Sequence, residues 1–128
     1  HFLPGWMFAL EDIAKMLAID GSYSTEQVRA LGSRGMDILE AAIVPHEGYG
    51  EPLTEDDFTA YRTLREAATV PIVVPTQRRI MPEDTARLFQ ECRIDALMIG
   101  AIVTRSDARN LGSTTQIYKK AVLDAARR

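Results

Sequence analysis

Two short runs constrain this chain more than any other feature. Val70–Pro75 reads Val-Pro-Ile-Val-Val-Pro and breaks at once into Thr76-Gln77-Arg78-Arg79. Ile94–Gly100 reads Ile-Asp-Ala-Leu-Met-Ile-Gly and leads through Ala101-Ile102-Val103 into Thr104-Arg105. Each run is too densely apolar to be half solvated, yet each ends abruptly in polar or small residues. That pattern belongs to a parallel strand buried on both faces, with a functional edge at its C-terminal tip.

Taken in order from the N-terminus, Leu10, Ile13, Ala14 and Leu17 recur at the spacing of one helical face, which predicts a helix over 6–19. Trp6, Met7, Phe8, Met16 and Ile19 add apolar surface around it, so this helix expects more than one neighbour. Ser24 with Gln27 forms a capping-box pattern for a second helix, which ends near Arg34 at Gly35. No strand is expected between these helices.

Met36–Val44 is the first expected strand, followed by the shaped loop Pro45-His46-Glu47-Gly48-Tyr49-Gly50. Thr54 and Asp57 then mark a cap for a helix with Phe58, Tyr61, Arg65 and Ala68 along one side. After Val70–Pro75, Pro82 with Glu83 and Asp84 suits a helix start. Thr85, Leu88, Phe89 and Cys92 make its inward face. The third strand is followed by a polar connection over 100–112 and a last helix over 113–127, with Tyr118, Ala121, Val122 and Ala125 on one face. The expected fold class is therefore α/β: parallel strands with helical crossovers, a half-barrel-like sheet or part of a (β/α)8 barrel, carrying an N-terminal helical pair. The whole chain, 1–128, reads as one domain, with a helical extension over 1–35 and three strand–helix units over 36–128.

Composition limits the function classes. Fifteen basic residues against eighteen acidic leave a net charge of −3, which argues against a nucleic-acid partner. No stretch suits a membrane span, and residues 2–10 lack the basic head and long apolar body of a secretory signal. Cys92 is the only cysteine, so no intrachain disulfide forms and a cytoplasmic location is expected. One cysteine and two histidines are too few for a Cys/His zinc cluster. No cofactor is expected, and Mg²⁺ held by Glu40, Glu47 or Asp95 is the metal chemistry left open. Phosphate-loop, dinucleotide-binding and nucleophile-elbow motifs are absent from the sequence.

Ligands of parallel α/β proteins bind beyond the C-terminal ends of the strands, which directs attention to 45–50, 76–79 and 100–105. Glu40 lies inside an otherwise apolar strand and needs either a polar cavity or a cationic partner such as Arg78. Facing a site, it is a candidate base. His46 in the following loop could act as general acid or base, oriented by Glu47 or Glu40, or it could simply hydrogen-bond the backbone. Gln77, Arg78 and Arg79 carry planar donors suited to carboxylate or phosphate, though arginines at such a place also serve as surface or interface salt bridges. Gly100 and Ala101 allow close approach of backbone N–H groups to a ligand.

The segment from Met36 to Arg128 resembles the final three strand–helix units of phosphate-binding (β/α)8 barrels, such as the keto-deoxy-phosphogluconate aldolase, thiamine-phosphate synthase and N-acetylmannosamine-6-phosphate epimerase families. The likeness lies in Val70-Pro-Ile-Val-Val and Ile94-Asp-Ala-Leu-Met-Ile-Gly-Ala-Ile-Val-Thr. It implies a phosphate cup with Thr76 and Gln77 on one side and Gly100 and Ala101 on the other. Those families usually place a glycine pair where this chain has Thr76-Gln77-Arg78, so side-chain donors gain weight. No lysine lies in any of the three expected strands, so a Schiff-base aldolase is not carried over.

The functional expectation is a protein that binds a small anionic metabolite, phosphate- or carboxylate-bearing, and acts as a lyase or isomerase through Glu40 or His46. The alternative is a non-catalytic assembly domain on a barrel-like scaffold. Three strands cannot close a barrel, so the exposed edge needs cover from the N-terminal helices or from another subunit, and a homo-oligomer is expected.

Overall fold

A computed structural model describes residues 4–127. Four strands form one sheet in the order β1-β2-β3-β4, every neighbouring pair parallel: β1 Met16–Ile19, β2 Ile38–Ala41, β3 Ile72–Pro75 and β4 Ala96–Met98. Helices α1 Thr25–Ser33, α2 Glu55–Ala67 and α3 Thr85–Gln90 make the crossovers. A short α4, Ala101–Thr104, and the long α5, Leu111–Ala126, follow β4. The chain is thus an α/β protein with a singly wound, half-barrel-like sheet.

The helix expected over 6–19 is not formed. A 3-10 segment, Gly5–Ala9, is followed by extended chain and β1, which pairs with β2 from Met16↔Ile38 to Ile19↔Ala41. The N-terminal unit is therefore strand then helix, and the described residues hold four strands rather than three. Of the apolar positions that matched a helical face, only Leu17 lies in the strand; Leu10, Ile13 and Ala14 precede it, so the match was coincidental. Its backbone groups gain a ready-made partner in β2, which outweighs a weak helical pattern. The other elements start where local chemistry puts them. Gln27 N donates to Ser24 Oγ at 3.2 Å and Ser24 N to Gln27 Oε1 at 2.7 Å, closing the capping box of α1. Gly35, just past α1, has φ +93°, which favours glycine. Thr54 and Asp57 close the corresponding box at α2.

Successive strand residues point to opposite faces, so each strand divides its side chains between two environments. Ile19, Leu39, Ala41, Ile72 and Val74 are buried in one cluster with Val28 and Leu31 of α1, Phe58, Tyr61 and Leu64 of α2, and Leu88 of α3. At roughly 1.5–3 kcal/mol for each large side chain removed from water, this face is the main source of stability. Helix α5 joins through α3: Tyr118 Oη donates to Ile80 O at 2.6 Å and Gln90 Nε2 to Ala125 O at 3.2 Å. The alternate strand residues Met16, Ala18, Ile38, Glu40, Val73, Ala96 and Met98 lie on the other face and stand outside that cluster. Sequential strand order with every crossover helix on one side leaves this face without a covering layer among the described residues.

Cys92 is fully buried in the cluster, its thiol against Phe58 O at 3.5 Å, and burial pushes its pKa up. Among the described residues, no helix is long and apolar enough to cross a membrane.

Candidate functional site

The three tips named by the sequence do converge, joined mainly by backbone. Gly50 N donates to Gln77 O at 2.8 Å and Arg79 N to Glu51 O at 2.9 Å, tying the loop after β2 to the loop after β3. Thr76 N donates to Met98 O at 3.0 Å, tying the β3 tip to β4. A continuous rim results along the C-terminal edge of the sheet.

Most of the expected anion-binding side chains are consumed in building that rim. Thr76 is buried, and its hydroxyl accepts the Gly100 N–H at 2.8 Å, closing the space between the two sides of the expected cup. Gln77 bridges the loop after β2, accepting from Val44 N at 3.2 Å and donating to Tyr49 Oη at 2.6 Å. Arg78 folds under the loop. Its Nη1 donates to Gly48 O at 3.1 Å and its Nη2 to Asp57 Oδ1 at 3.2 Å, while Nε makes an ion-pair contact of 2.9 Å with Asp57 Oδ2. Both side chains are nearly buried, at 14% and 11% exposed. Gly48 leaves the room for this, because a Cβ at that position would lie 2.6 Å from Arg78 Nη1 and would oblige the guanidinium to shift. Asp57 is also the N3 residue of the α2 capping box, so one carboxylate accepts the N–H of the cap residue Thr54 and holds the guanidinium.

Arg79 behaves differently from its neighbour. It is exposed, and its guanidinium has no hydrogen bond or ion pair among the described residues. Arg105, past the β4 tip, is likewise exposed and without an ion pair among those residues. Its backbone sits at φ 59°, ψ −172°, a region that essentially only glycine occupies freely, and is held there by a bond from its N–H to Ala101 O at 2.9 Å. Arg105 was outside the expected site residues, although its place at the end of the second apolar run was visible. Gly100 and Ala101 are exposed at the start of α4.

Glu40 is half-buried on the uncovered face of the sheet, in register with Ala18 on β1 and Val73 on β3. Its carboxylate has no partner among the described residues. Arg78, suggested as its counter-ion, is occupied by Asp57 instead. His46 is exposed in a 3-10 turn, His46–Gly48, its ring stacked on Tyr49 at 5.0 Å between centroids. No hydrogen bond joins it to Glu47 or Glu40 among the described residues. Asp95 lies before β4, at the opposite end of the sheet, where it accepts from Ile72 N and pairs with Arg65, both at 2.8 Å. Glu40, Glu47 and Asp95 therefore form no common metal site, and no group of three or more potential ligands occurs among the described residues.

Fold and rim together define a singly wound parallel α/β protein whose loops gather along the C-terminal edge of the sheet. Compared with protein-family models and with curated proteins, the sequence matches none.

Proposed function

We propose that the C-terminal edge of the sheet binds a small anionic metabolite bearing phosphate or carboxylate. The observation that carries this reading is the division of labour between adjacent arginines: Arg78 is locked against Asp57 to hold the rim, leaving Arg79 on its surface without an internal partner. Arg105 supplies a second guanidinium from the C-terminal end of α4, the helix that follows β4, and its strained backbone is the kind of cost that recurs at ligand-binding positions. Planar guanidinium donors suit both phosphate and carboxylate.

Glu40 is the residue through which such a site would perform proton abstraction, as in a lyase or isomerase. It is an unpartnered carboxylate one residue from the end of β2, close to the tips and on an otherwise apolar face. His46, exposed and stacked on Tyr49, is the second acid/base group within this reading.

The test is a thermal-shift and calorimetric titration with inorganic phosphate, phosphorylated sugars and keto acids. Arg79→Ala and Arg105→Ala should each weaken binding about tenfold or more while the fold persists. Binding that is indifferent to both substitutions overturns the assignment. With a ligand in hand, Glu40→Gln should abolish turnover while leaving binding in place.

The uncovered sheet face favours a second reading, an assembly domain without chemistry. That reading predicts no stabilisation by any of these anions.

A further inference from the structure

We infer that Tyr49, backed by His46, is a stacking platform for a flat ring carried by the anion, so that the ligand class of the rim is an aromatic or heteroaromatic phosphate or carboxylate. The inference rests on the anion-binding reading for the charged end of the ligand and adds the other end.

The first observation is a rigid aromatic ring left in water. Tyr61 and Tyr118 are buried in packed faces, whereas Tyr49 is 43% exposed at the rim. Its ring is nevertheless fixed. The Tyr49 N–H donates to His46 O at 3.1 Å, and the His46 ring stacks on it at 5.0 Å between centroids with 29° between the planes. The hydroxyl accepts from Gln77 Nε2 at 2.6 Å, and Gln77 is held in turn through Oε1, which accepts from Val44 N at 3.2 Å. A tie between two loops needs only the hydroxyl. It does not account for a large ring backed by a second ring and kept at the surface. Rigid, amphipathic ring area that costs little entropy to order is what a position that stacks on a ligand requires.

The second observation is what borders this ring. Gly50, the next residue, has φ +78°, and a Cβ built there would stand 3.8 Å from Ile102 Cδ1. Ile102 of α4, itself partly exposed, therefore brings apolar surface from beyond β4 to the residue that follows Tyr49. The cations flank the same place. Gly50 N donates to Gln77 O and Arg79 N to Glu51 O, so Arg79 rises from backbone tied to the two residues after Tyr49. Arg105 ends the helix that carries Ile102. An aromatic and aliphatic patch between loops that each carry an exposed guanidinium matches a ligand with a flat ring at one end and an anion at the other. An open-chain anion would engage the arginines and leave the platform unused.

Calorimetric titration with phenyl phosphate, cyclohexyl phosphate, inorganic phosphate and benzoate tests this. Phenyl phosphate should bind about tenfold or more tighter than inorganic phosphate, and about threefold or more tighter than cyclohexyl phosphate, whose ring has no aromatic face. The ring protons of bound phenyl phosphate should move upfield in NMR spectra, as protons above an aromatic face do. Tyr49→Leu, with an unchanged circular dichroism spectrum, should bring phenyl phosphate down to the cyclohexyl value and leave inorganic phosphate within about twofold. Tyr49→Phe, which keeps the ring and loses the Gln77 bond, should retain the preference. If Tyr49→Leu does not fold, the phenyl-to-cyclohexyl ratio and the upfield shift in the unaltered chain decide the outcome. Equal affinity for the two ring esters without an upfield shift overturns the platform and spares the anion reading, as does a folded Tyr49→Leu variant that keeps the preference. Benzoate bound in place of phenyl phosphate, and lost in Tyr49→Leu, supports the platform with carboxylate as the charged end. A chain that binds neither the phosphates nor benzoate overturns the platform together with the anion reading.

Discussion

The two faces of the sheet are built from the same strands, residue by alternate residue, and they behave as different materials. Ile72 and Val74 are fully buried beneath the helices, whereas Val73 between them points to the uncovered side and keeps part of its surface in water. Leu39 and Glu40 make the same contrast on β2. One face holds the fold together; the other is available for something else. The adjacent arginines repeat the lesson at the rim, Arg78 turned inward to hold structure and Arg79 turned outward.

The largest expected effect belongs to the inward arginine. Arg78→Ala leaves the Asp57 carboxylate nearly buried and short of its cation, and should cost about 3–5 kcal/mol in chemical denaturation. A loss under about 1 kcal/mol would show that the rim does not depend on this pair. On the covered face, Ile72→Ala should cost about 2–5 kcal/mol through lost burial and a residual cavity. Val73→Ala, one residue away, should cost under about 1 kcal/mol in dilute protein. A cost at Val73 that grows with protein concentration would show the open face becoming covered.

Alkaline pH probes the covered face as a whole. Burial raises the pKa of Tyr61, whose ordinary value is 10.0, and of Cys92, whose ordinary value is 9.0. Both folded-state values lie above the unfolded ones. Their contribution is thus fully present below about pH 9 and is lost as pH rises through the folded values, by up to about 1.4 kcal/mol per pH unit for each group. Denaturation midpoints across pH 8–11 would show this decline, and Cys92→Ala should remove its earlier part.

Arg105→Gly should stabilise the chain by about 1 kcal/mol by relieving the backbone at φ 59°, while weakening anion binding. Opposite signs in melting temperature and affinity would mark strain kept for function. Last, Arg79→Ala should change stability by under about 0.5 kcal/mol, because the side chain is exposed and its guanidinium makes no hydrogen bond or ion pair among the described residues.

What could be read from residues alone tracks how local the physics is. Both capping boxes, the glycine ending α1, the dense β3 and β4 runs and the buried Cys92 were legible, since each depends on neighbours a few residues away. Strand β1 was missed because Leu10, Ile13, Ala14 and Leu17 match a helical template. In a four-residue edge strand with only Ile19 fully shielded, a period of two has no room to show itself. A usable signal was present all the same: Met16–Ile19 breaks into Asp20-Gly21, the same apolar-then-polar ending as the later strands.

The candidate site divides along the same line. That the tips of β2, β3 and β4 would meet at one edge followed from the alternation of strand and helix, because parallel winding places every such loop at the same end. Which side chain at that edge is free to meet a ligand did not follow. Arg78 and Arg79 are identical and adjacent, and their roles are separated by Asp57, twenty-one residues away along the chain, and by the missing Cβ of Gly48. Sequence by itself determined the periodicities, the caps and the parallel sheet, which are properties of short segments. Only tertiary structure decided which face is bare and which arginine is free, because both depend on packing between segments distant in the chain.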